Sequence, residues 1–358
     1  MQTSTPKAGI ANFDEYWKKR AEEAKEASRE AYEPNPEKVA EHFNYEVHKS
    51  LEGGNSTRRN LGKYKGPCLA TNPIDQCWRC DKNWAKNRKK LGGCALGFGR
   101  KTIGGMHGKY YRVTDPSDND MVNPKPGTLR YGVIQDEPLW IIFAHDMAIS
   151  LICEKCDHPW IHIHGAKAGN GGMIRDSVDH YGFRSRSDGD GISIFGSTDI
   201  WIDHISMSNC EDGLIDAVMG SNAITISNCH FTKHNDVMLL GASDSYSGDS
   251  VMQITVAFNH FGRGLVQRMR GQHPTIISQG NRFIAPSDPA CKELKVCGSP
   301  GIGDQRGICC STEPSFVQSG NAIKTMNKPG VINAKPGGHV SMLTRFSGAL
   351  DCVRGRPC

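Results

Sequence analysis

The stretch Ile200–Phe283 repeats one eight-residue pattern four times, as IWIDHISM from Ile200, ITISNCHF from Ile224, ITVAFNHF from Ile254 and IISQGNRF from Ile276. Successive copies begin 24, 30 and 22 residues apart. Each copy opens with a short β-branched run and ends on a large apolar residue, and three of them carry an Asn two or three residues before a closing Phe. A unit this short cannot bury its own apolar face, so it must stack on its neighbours. The repeat therefore predicts a parallel β-helix.

Two other architectures fit the repeat less well. No helical pattern lies between the copies, which argues against βαβ units. A β-sandwich needs strands at a shorter spacing than the 22 to 30 residues found here. The predicted fold class is therefore all-β, a parallel β-helix solenoid preceded by an N-terminal helical extension.

Acidic residues recur with the same spacing as the repeat. Asp188 and Asp212 are 24 residues apart, and Asp216 lies four residues further along the chain. In a solenoid with that offset, Asp188 and Asp212 occupy equivalent positions on successive turns. Carboxylates that converge on one face repel one another unless a cation lies between them. Because all-oxygen ligands select a hard cation, we predict a Ca²⁺ site formed by Asp188, Asp212 and Asp216.

Two other interpretations of these acids fit less well. Asp188-x-Asp190 resembles the start of an EF-hand loop, but the fifth position is the apolar Ile192 and Asp199 replaces the closing Glu. The acids could also simply cap turns, which explains any one of them well but explains their matched spacing poorly. Turn capping stays open as the alternative to metal binding.

The first 66 residues are charged and helical, so we divide the chain into an N-terminal helical extension, 1–66, and a β-helix domain, 67–358. The run Asn12–Glu15 resembles a capping box before a helical segment that Pro34-Asn35-Pro36 ends. A second helical run extends from Glu37 to about Leu51. We expect the extension to be mostly solvated, with an aromatic stripe that packs on other residues. The run Asn55-Ser56-Thr57 is a glycosylation acceptor if the chain is secreted.

Three segments after Phe98 are strand candidates where the chain enters the solenoid. They are Lys109–Thr114, Thr128–Val133 and Leu139–Ala144. Each is rich in aromatic or β-branched residues, which favour strands. We therefore expect all three to add to the β-helix.

The chain contains 14 cysteines, some of them in Cys-x-x-Cys pairs at Cys77/Cys80 and Cys153/Cys156. Such pairs occur in zinc sites, but these two are 73 residues apart, far from finger spacing. Disulfides are therefore the preferred interpretation, within the region 68–94 and between Cys352 and Cys358. The sequence does not assign the pairing within the first region.

The formal net charge of +5 favours an acidic polymer over a neutral one as the partner. Nucleic acid is disfavoured, because no nucleic-acid-binding signature is found and aromatic residues make up only 8% of the chain. No apolar run long enough to cross a membrane and no signal peptide is recognised. We expect a monomer that is not associated with a membrane.

Eight segments of the chain carry specific motifs: Asn72–Cys80, Gly169–Arg175, Ser187–Gly196, Ile200–His204, Cys210–Ala217, His234–Gly241, Phe258–Phe261 and Arg345–Leu350. Together they resemble the plant pectate lyases of polysaccharide lyase family 1, which include pollen allergens. The resemblance covers most of the chain and its motifs are highly specific.

The resemblance implies a right-handed parallel β-helix that binds calcium and cleaves de-esterified α-1,4-galacturonan (pectate) by elimination. It implies Asp188, Asp212 and Asp216 as calcium ligands and Arg268 as the catalytic base. A role as a clamp on the substrate carboxylate stays open for Arg268, because a guanidinium normally remains protonated. Family members are secreted to the cell wall, so we expect the same of this chain.

Two segments depart from the family pattern. The chain passes almost directly from Leu151 to Trp160, and from Arg268 to Pro274, where family members have further strands. We therefore expect that internal turns of the solenoid are missing, one of them beside Arg268. Such a loss leaves two alternatives to an active lyase: a non-catalytic, pectin-binding or allergen-like β-helix, and a hydrolase on the same fold. The hydrolase ranks last, because the Asn-Thr-Asp, Gly-His-Gly and Arg-Ile-Lys motifs of polygalacturonases are absent.

Overall fold

Parallel strands stacked on one another form the centre of the computed structural model. The structure describes residues 14–59, 68, 70–149, 162–184, 186–242, 245–267, 274–284, 317–319 and 339–358. The helices are α1 (Glu15–Glu30), α2 (Pro36–Arg59), α3 (Pro73–Trp78), α4 (Leu129–Val133) and α5 (Val340–Leu343). The strands are β1 (Lys109–Val113), β2 (Leu139–Phe143), β3 (His162–His164), β4 (Gly172–Arg175), β5 (Tyr181–Arg184), β6 (Ile192–Phe195), β7 (Thr198–Asp203), β8 (Ser206–Ser208), β9 (Ile215–Val218), β10 (Asn222–Ser227), β11 (His230–Thr232), β12 (His234–Asp236), β13 (Met238–Leu240), β14 (Gln253–Ala257), β15 (His260–Phe261), β16 (Leu265–Gln267), β17 (Thr275–Gln279), β18 (Arg282–Phe283) and β19 (Val317–Ser319).

Successive turns of the chain contribute one strand to each of several parallel sheets. One sheet has the order β7-β10-β14-β17 with β19 antiparallel at its edge, a second has the order β3-β8-β11-β15-β18, and a third contains β6, β9 and β13. In the first sheet Ile200 pairs with Ile224, Ile224 with Ile254, and Ile254 with Ile276. These registers are the 24-, 30- and 22-residue offsets of the sequence repeat. The predicted parallel β-helix is confirmed.

The repeated Asn has a structural explanation. The Asn259 side chain accepts a hydrogen bond from the Cys229 backbone N–H at 2.8 Å and donates one to the Ile226 carbonyl at 2.9 Å. Asn281 makes the same two bonds one turn later, with the Asn259 N–H and the Val256 carbonyl. This ladder of Asn side chains provides hydrogen bonds to backbone N–H and carbonyl groups where the chain bends between two sheets. Buried backbone groups are costly when they are left unpaired.

The closing aromatic residues of the repeat stack inside the solenoid. The rings of Phe231 and Phe261 have centroids 5.2 Å apart, and those of Phe261 and Phe283 are 4.6 Å apart and nearly parallel. Phe231 is fully buried, together with Ile224 and Ile226 of the same turn. Apolar burial along this column is the main favourable term for stacking short turns on one another.

One of the three strand candidates near the entry is wrong. β1 and β2 confirm two of them and pair in parallel with each other. The segment predicted as a strand over Thr128–Val133 instead forms the short helix α4, because the Thr128 side chain accepts a hydrogen bond from the Tyr131 N–H and caps the helix. A side-chain cap of this kind overrides a weak strand propensity.

The N-terminal helices differ in detail from the sequence prediction. The N-cap of α1 is Asp14, whose carboxylate accepts hydrogen bonds from the Tyr16 and Trp17 N–H groups, rather than Asn12. Helix α2 continues to Arg59, beyond the predicted end at Leu51, so the glycosylation sequence that starts at Asn55 lies within a helix. The predicted domain boundary at residue 66 lies outside the described residues.

Both N-terminal helices lie against the sheet that contains β10 and β14. The Ser28 hydroxyl donates to the Gly220 carbonyl at 2.5 Å, and Asn222 donates back to the Ser28 carbonyl at 2.8 Å. The buried ring of Phe43 on α2 stacks on Phe258 with centroids 5.4 Å apart. The expected aromatic packing is therefore present, and it covers an apolar side of the solenoid.

Three disulfides lie in two regions of the described chain. Their pairs are Cys68–Cys80, Cys77–Cys94 and Cys352–Cys358. The prediction of disulfides in these two regions is confirmed, and Cys77 and Cys80 are not partners in one zinc site. The predicted departures after Leu151 and after Arg268 lie outside the described residues.

A buried cluster of charged groups joins α3 and the C-terminus to the solenoid. Arg79 Nη1 lies 2.7 Å from Asp75 Oδ2, Asp75 Oδ1 lies 3.2 Å from His204 Nε2, and His204 Nδ1 lies 2.8 Å from Asp203 Oδ2. Arg79 also donates to the Cys358 carbonyl at 2.8 Å. Burial alone would lower the pKa of His204, but Asp203 and Asp75 raise the pKa above its ordinary value. His204 therefore has a structural role, because it joins Asp75 of α3 to Asp203 of β7.

A column of basic residues on the second sheet predicts how stability depends on pH. His260 is paired in register with His230 on one side and Arg282 on the other, and the two imidazole rings stack at 4.5 Å. Burial, followed by the charges of His230 and Arg282, lowers the pKa of His260 to about 4. An unfolded histidine titrates near pH 6.5, so between about pH 6.5 and 4 the unfolded chain binds more protons at this position.

We therefore expect the folded protein to lose stability as the pH falls from about 6.5 to 4, and His260→Gln to make this loss smaller. The measurement is the thermal midpoint at several pH values between 7 and 4 for both proteins. His107→Gln, at an exposed histidine, is the matched control. If the thermal midpoints of the wild type and His260→Gln fall by the same amount as the pH is lowered, His260 is not the source of the pH dependence.

Candidate metal centre

Three carboxylates meet at the turns that lead into β6 and β9. Asp188, Asp190 and Asp212 each have an oxygen atom within 4.8 Å of one on the others. Asp188 is exposed, whereas Asp190 and Asp212 are half-buried. Two of the three predicted ligands, Asp188 and Asp212, are thus brought together, and they are joined by Asp190, which the sequence analysis did not include as a ligand.

The sheet of the acidic cluster has a different register from that of the repeat. Ile192 pairs with Ile215, an offset of 23 residues, so Asp188 and Asp212 are not strictly equivalent positions. The turn between β9 and β10 comprises residues 219–221, whereas the turn between β6 and β7 comprises only 196 and 197. That additional residue converts the offset of 23 into the 24 of the next sheet. The predicted equivalence is therefore wrong by one position, although the carboxylates still converge.

Asp190 lies between the other acids and Asp216. Its Oδ1 accepts a hydrogen bond from the Gly213 N–H at 2.7 Å, and its Oδ2 accepts one from the Ser193 hydroxyl at 2.8 Å. The spacing Asp188-x-Asp190 was the signal in the sequence, because residues two apart in an extended segment point to the same side.

Asp216 lies deeper, on β9, where only 8% of its surface is exposed. A Cβ atom on Gly213 would stand 2.2 Å from Asp216 Oδ1 and 2.9 Å from Asp190 Oδ1. Both carboxylates therefore approach the same small space, which only a glycine leaves open. The third predicted ligand is thus adjacent to the cluster through Asp190, not a member of the closest group.

The electrostatics of the cluster favour a cation. Burial raises the pKa of Asp190 above its ordinary value, and the charges of Asp188 and Asp212 raise it further, against hydrogen bonds from Ser193 and Gly213 that lower it. The donor atoms are carboxylate oxygens, which suit a hard divalent cation such as Ca²⁺. A bound cation would relieve the mutual repulsion that raises this pKa. The residues present therefore fit calcium.

Arg268 lies outside the described residues, but the strand immediately before it is described. β16 ends at Gln267, which pairs in register with Asp236 of β12. The Asp236 carbonyl accepts a hydrogen bond from the Leu214 N–H at 3.1 Å, next to Gly213 of the cluster. The His234 side chain of β12 also hydrogen-bonds to the Asp212 carbonyl. The strand before Arg268 is therefore stacked on the same side of the solenoid as the acids.

The fold and the acidic cluster together define a parallel β-helix protein with a cation-type site on one stacked sheet. Comparison with known proteins agrees with this class. A pectate lyase N-terminus model matches residues 9–61, and a pectate lyase model matches residues 173–273. The second match includes all four acids and Arg268.

Full-length relatives extend the match to nearly the whole chain. A pectate lyase of Lilium longiflorum is 50% identical over 98% of this chain and 95% of the relative. A probable pectate lyase, P59, of Solanum lycopersicum is 48% identical over 98% of this chain and 94% of the relative. The crystal structure of jun a 1, the major allergen from cedar pollen, is 33% identical and superposes with a TM-score of 0.62 over 78% of this chain and 100% of that one.

The chain therefore belongs to the pectate lyase family and is an enzyme of that family. The alignment with the Lilium protein spans 414 positions, more than the 358 residues of this chain, so parts of the relative have no counterpart here. This agrees with the expectation that internal segments are missing. Among the described residues, no helix is long and apolar enough to cross a membrane.

Proposed function

We propose that this protein is a calcium-dependent pectate lyase that cleaves (1→4)-α-D-galacturonan by elimination. The products are oligosaccharides with unsaturated 4-deoxy-galact-4-enuronosyl ends. The observation that supports the calcium dependence is the convergence of Asp188, Asp190 and Asp212, with oxygen atoms within 4.8 Å of one another. A substrate that carries a carboxylate on every sugar matches both a cation in this cluster and the net charge of +5.

Asp188, Asp212 and Asp216, together with Asp190, are the residues that would hold the ion. Bound calcium supplies positive charge to a substrate carboxylate, which holds the sugar in place and acidifies its C5 proton. Asp190 and Asp216 are partly fixed by the narrow space at Gly213, and Asp190 also by its bond to Ser193. Such fixed carboxylates need little rearrangement to bind a cation.

Arg268 is proposed to take the C5 proton of the sugar. The C5–H electron pair then forms the C4=C5 double bond. The bond between C4 and the glycosidic oxygen breaks with its electron pair on that oxygen, which takes a proton from water. The Arg268 side chain can accept a proton only as a neutral guanidine. Nearby positive charge and alkaline pH should therefore assist proton removal, because both favour the neutral form. If Arg268 is instead a clamp on the substrate carboxylate, its loss weakens binding more than it slows the chemical step.

The remaining assignments follow the family. We propose a monomer, secreted to the cell wall, that acts in pectin degradation with polygalacturonate as its partner. The three disulfides are of the kind that persist in an oxidising environment. Glycosylation at Asn55 belongs to the same proposal.

The test is the ultraviolet absorbance of the unsaturated product, measured with purified protein on polygalacturonate at alkaline pH. We expect the absorbance to increase over time when calcium is present and the increase to stop when a chelator is added. The rate of increase should be at least about a hundredfold lower in Arg268→Ala. A base role lowers kcat in this variant, whereas a clamp role raises KM.

Two other results would each replace the proposal. Folded wild-type protein that gives no absorbance but binds pectate would be the non-catalytic β-helix. That alternative rests on the expectation from the sequence that one lost turn lies beside Arg268. New reducing ends without absorbance would indicate a hydrolase.

A further inference from the structure

A two-stranded hairpin rises directly beside the acidic cluster. β4 and β5 pair in an antiparallel arrangement, separate from the stacked sheets. Its base is closed by two hydrogen bonds: the Gly169 N–H donates to the Ser187 hydroxyl at 2.8 Å, and the Ser187 N–H donates to the Gly169 carbonyl at 3.2 Å. The next residue is Asp188. The hairpin and the candidate metal centre are therefore neighbours along the chain.

One face of the hairpin is apolar and exposed. Met173 pairs in register with Phe183, and Arg175 pairs with Tyr181, so these four side chains share one face. Phe183 is 69% exposed and Met173 is 49% exposed, and Tyr181 is also exposed. Exposed large apolar side chains that are grouped together commonly mark a binding site.

The opposite face of the hairpin is held rigidly. Asp176 has a buried carboxylate that accepts hydrogen bonds from Trp17 Nε1 at 3.0 Å and Arg184 Nη2 at 3.0 Å, and that also contacts His180 Nδ1 at 2.7 Å. A Cβ atom on Gly182 would stand 2.5 Å from Asp176 Oδ2, so the hairpin lies closely against these groups. The exposed apolar face is thus presented on a fixed support.

Helix α1 provides much of that support. The ring of Tyr16 stacks on His180 at 4.0 Å, and the Arg184 guanidinium lies 4.3 Å above the Trp17 ring. Asp14, the N-cap of α1, lies 3.3 Å from His180 Nε2. Residues at the start of α1 therefore pack against the hairpin and hold it in place.

The exposed face also carries positive charge. The Arg175 guanidinium stacks at 4.0 Å on the Tyr181 ring, and it donates to the backbone carbonyls of Val122 and Val178. Among the described residues, no carboxylate lies within 4.0 Å of that guanidinium. An acidic sugar would therefore meet aromatic rings beside a cation that none of the described acids neutralises.

We propose that the exposed face of this hairpin is a binding subsite for a sugar of the acidic polymer, away from the cleaved bond. The inference rests on the proposed function and deepens it. The partly positive C–H edge of a pyranose ring packs on the negative face of Phe183, while its carboxylate approaches Arg175. Phe183 is five residues from Asp188, at most about 18 Å along an extended chain, so one polymer chain can reach both sites.

The first test measures binding without cleavage. The affinity of Arg268→Ala for polygalacturonate is determined calorimetrically with calcium present, with and without the additional change Phe183→Ala. We expect the double variant to bind about three- to tenfold more weakly. Phe143→Ala in the same background is the matched control, because Phe143 is an exposed ring on β2, outside the hairpin. Equal affinities for the Phe183→Ala and Phe143→Ala proteins would overturn the proposal.

The second test separates this inference from the proposed reaction. In the otherwise wild-type enzyme, Phe183→Ala should raise KM for the polymer by a similar factor and leave kcat and the KM for trigalacturonate unchanged. If the wild type has no lyase activity but its pectate binding depends on Phe183, the subsite stands and the proposed reaction fails. If the wild type is active and Phe183→Ala has an unaltered KM, the subsite fails and the reaction stands.

Trp17→Phe tests whether α1 holds the hairpin in place. The variant keeps an aromatic ring but removes the N–H that donates to Asp176. Because Trp17 is a positioning residue, Trp17→Phe should raise KM for the polymer and leave kcat and the calcium affinity unchanged. A general loss of folding would instead lower the thermal midpoint and all activities together. An unchanged KM for the polymer would show that α1 does not position the hairpin.

Discussion

Replacing Asp188 by Asn is expected to weaken calcium binding about 30- to 100-fold. Asp188 is exposed and belongs to the cluster in which carboxylate oxygens lie within 4.8 Å of one another. Two unit charges about 4 Å apart interact by about 4 kcal/mol near a protein surface, and solvent screening at an exposed position reduces this to about 2 to 3 kcal/mol. A difference of that size corresponds to the stated change in affinity.

The measurement is a calcium titration by calorimetry, together with lyase activity at increasing calcium concentrations. We expect Asp188→Asn to lose most activity at low calcium and to regain much of it when calcium is raised, because the other ligands remain. Asp199→Asn is the matched control: Asp199 is exposed on β7, outside the cluster, and its φ of 55° is one that Asn adopts readily. Unaltered calcium affinity in Asp188→Asn would exclude this residue as a ligand.

Replacing Arg79 by Ala is expected to destabilise the fold by about 3 to 5 kcal/mol. The side chains of Arg79 and Asp75 are 2% and 1% exposed, so the carboxylate cannot be solvated when its partner is removed. Burial already raises the pKa of Asp75, against the charges of His204 and Arg79 that lower it. Loss of one partner of a buried ion pair leaves an uncompensated charge, which accounts for the size of the effect.

Chemical denaturation of both proteins at neutral pH measures this change. Arg100→Ala is the control, because its ion pair with Glu33 at 2.8 Å is about a quarter exposed and should contribute at most about 1 kcal/mol. Exchanging both partners, as Asp75→Asn with Arg79→Met, should recover part of the loss. Similar stabilities for Arg79→Ala and Arg100→Ala would show that the buried cluster does not hold α3 and the C-terminus to the solenoid.

The two changes affect different properties of the molecule. Asp188 is exposed in the turn before β6, where a substitution alters charge without disturbing packing. Arg79 is buried where α3, the C-terminal Cys358 and the turn after β7 meet. Without calcium, Asp188→Asn should therefore have a thermal midpoint equal to or slightly above that of the wild type, because one of the repelling charges is removed. Arg79→Ala should lower the midpoint whether calcium is present or not.

The solenoid could be predicted from the sequence alone, because its repeat is local and periodic. Strand residues such as Ile224 and Ile254 recur at intervals that equal the observed registers. The repeated residues mark positions where successive turns make the same contacts: Asn259 and Asn281 form one ladder, and Phe231, Phe261 and Phe283 form one stack. The acids Asp188 and Asp212 could be chosen for the same reason, since stacking brings recurrent positions together.

Details that depend on turn length and on contacts between distant segments are visible only in the folded structure. The acidic sheet has an offset of 23 instead of the 24 of the repeat, which places Asp190 in register with Gly213, from whose N–H it accepts a hydrogen bond. The clamp of Trp17 on Asp176 joins residues 159 positions apart, and no local pattern specifies such a pair. Periodicity fixes which residues stack, whereas the packing of non-repetitive segments depends on shape and charge that appear only after the chain has folded.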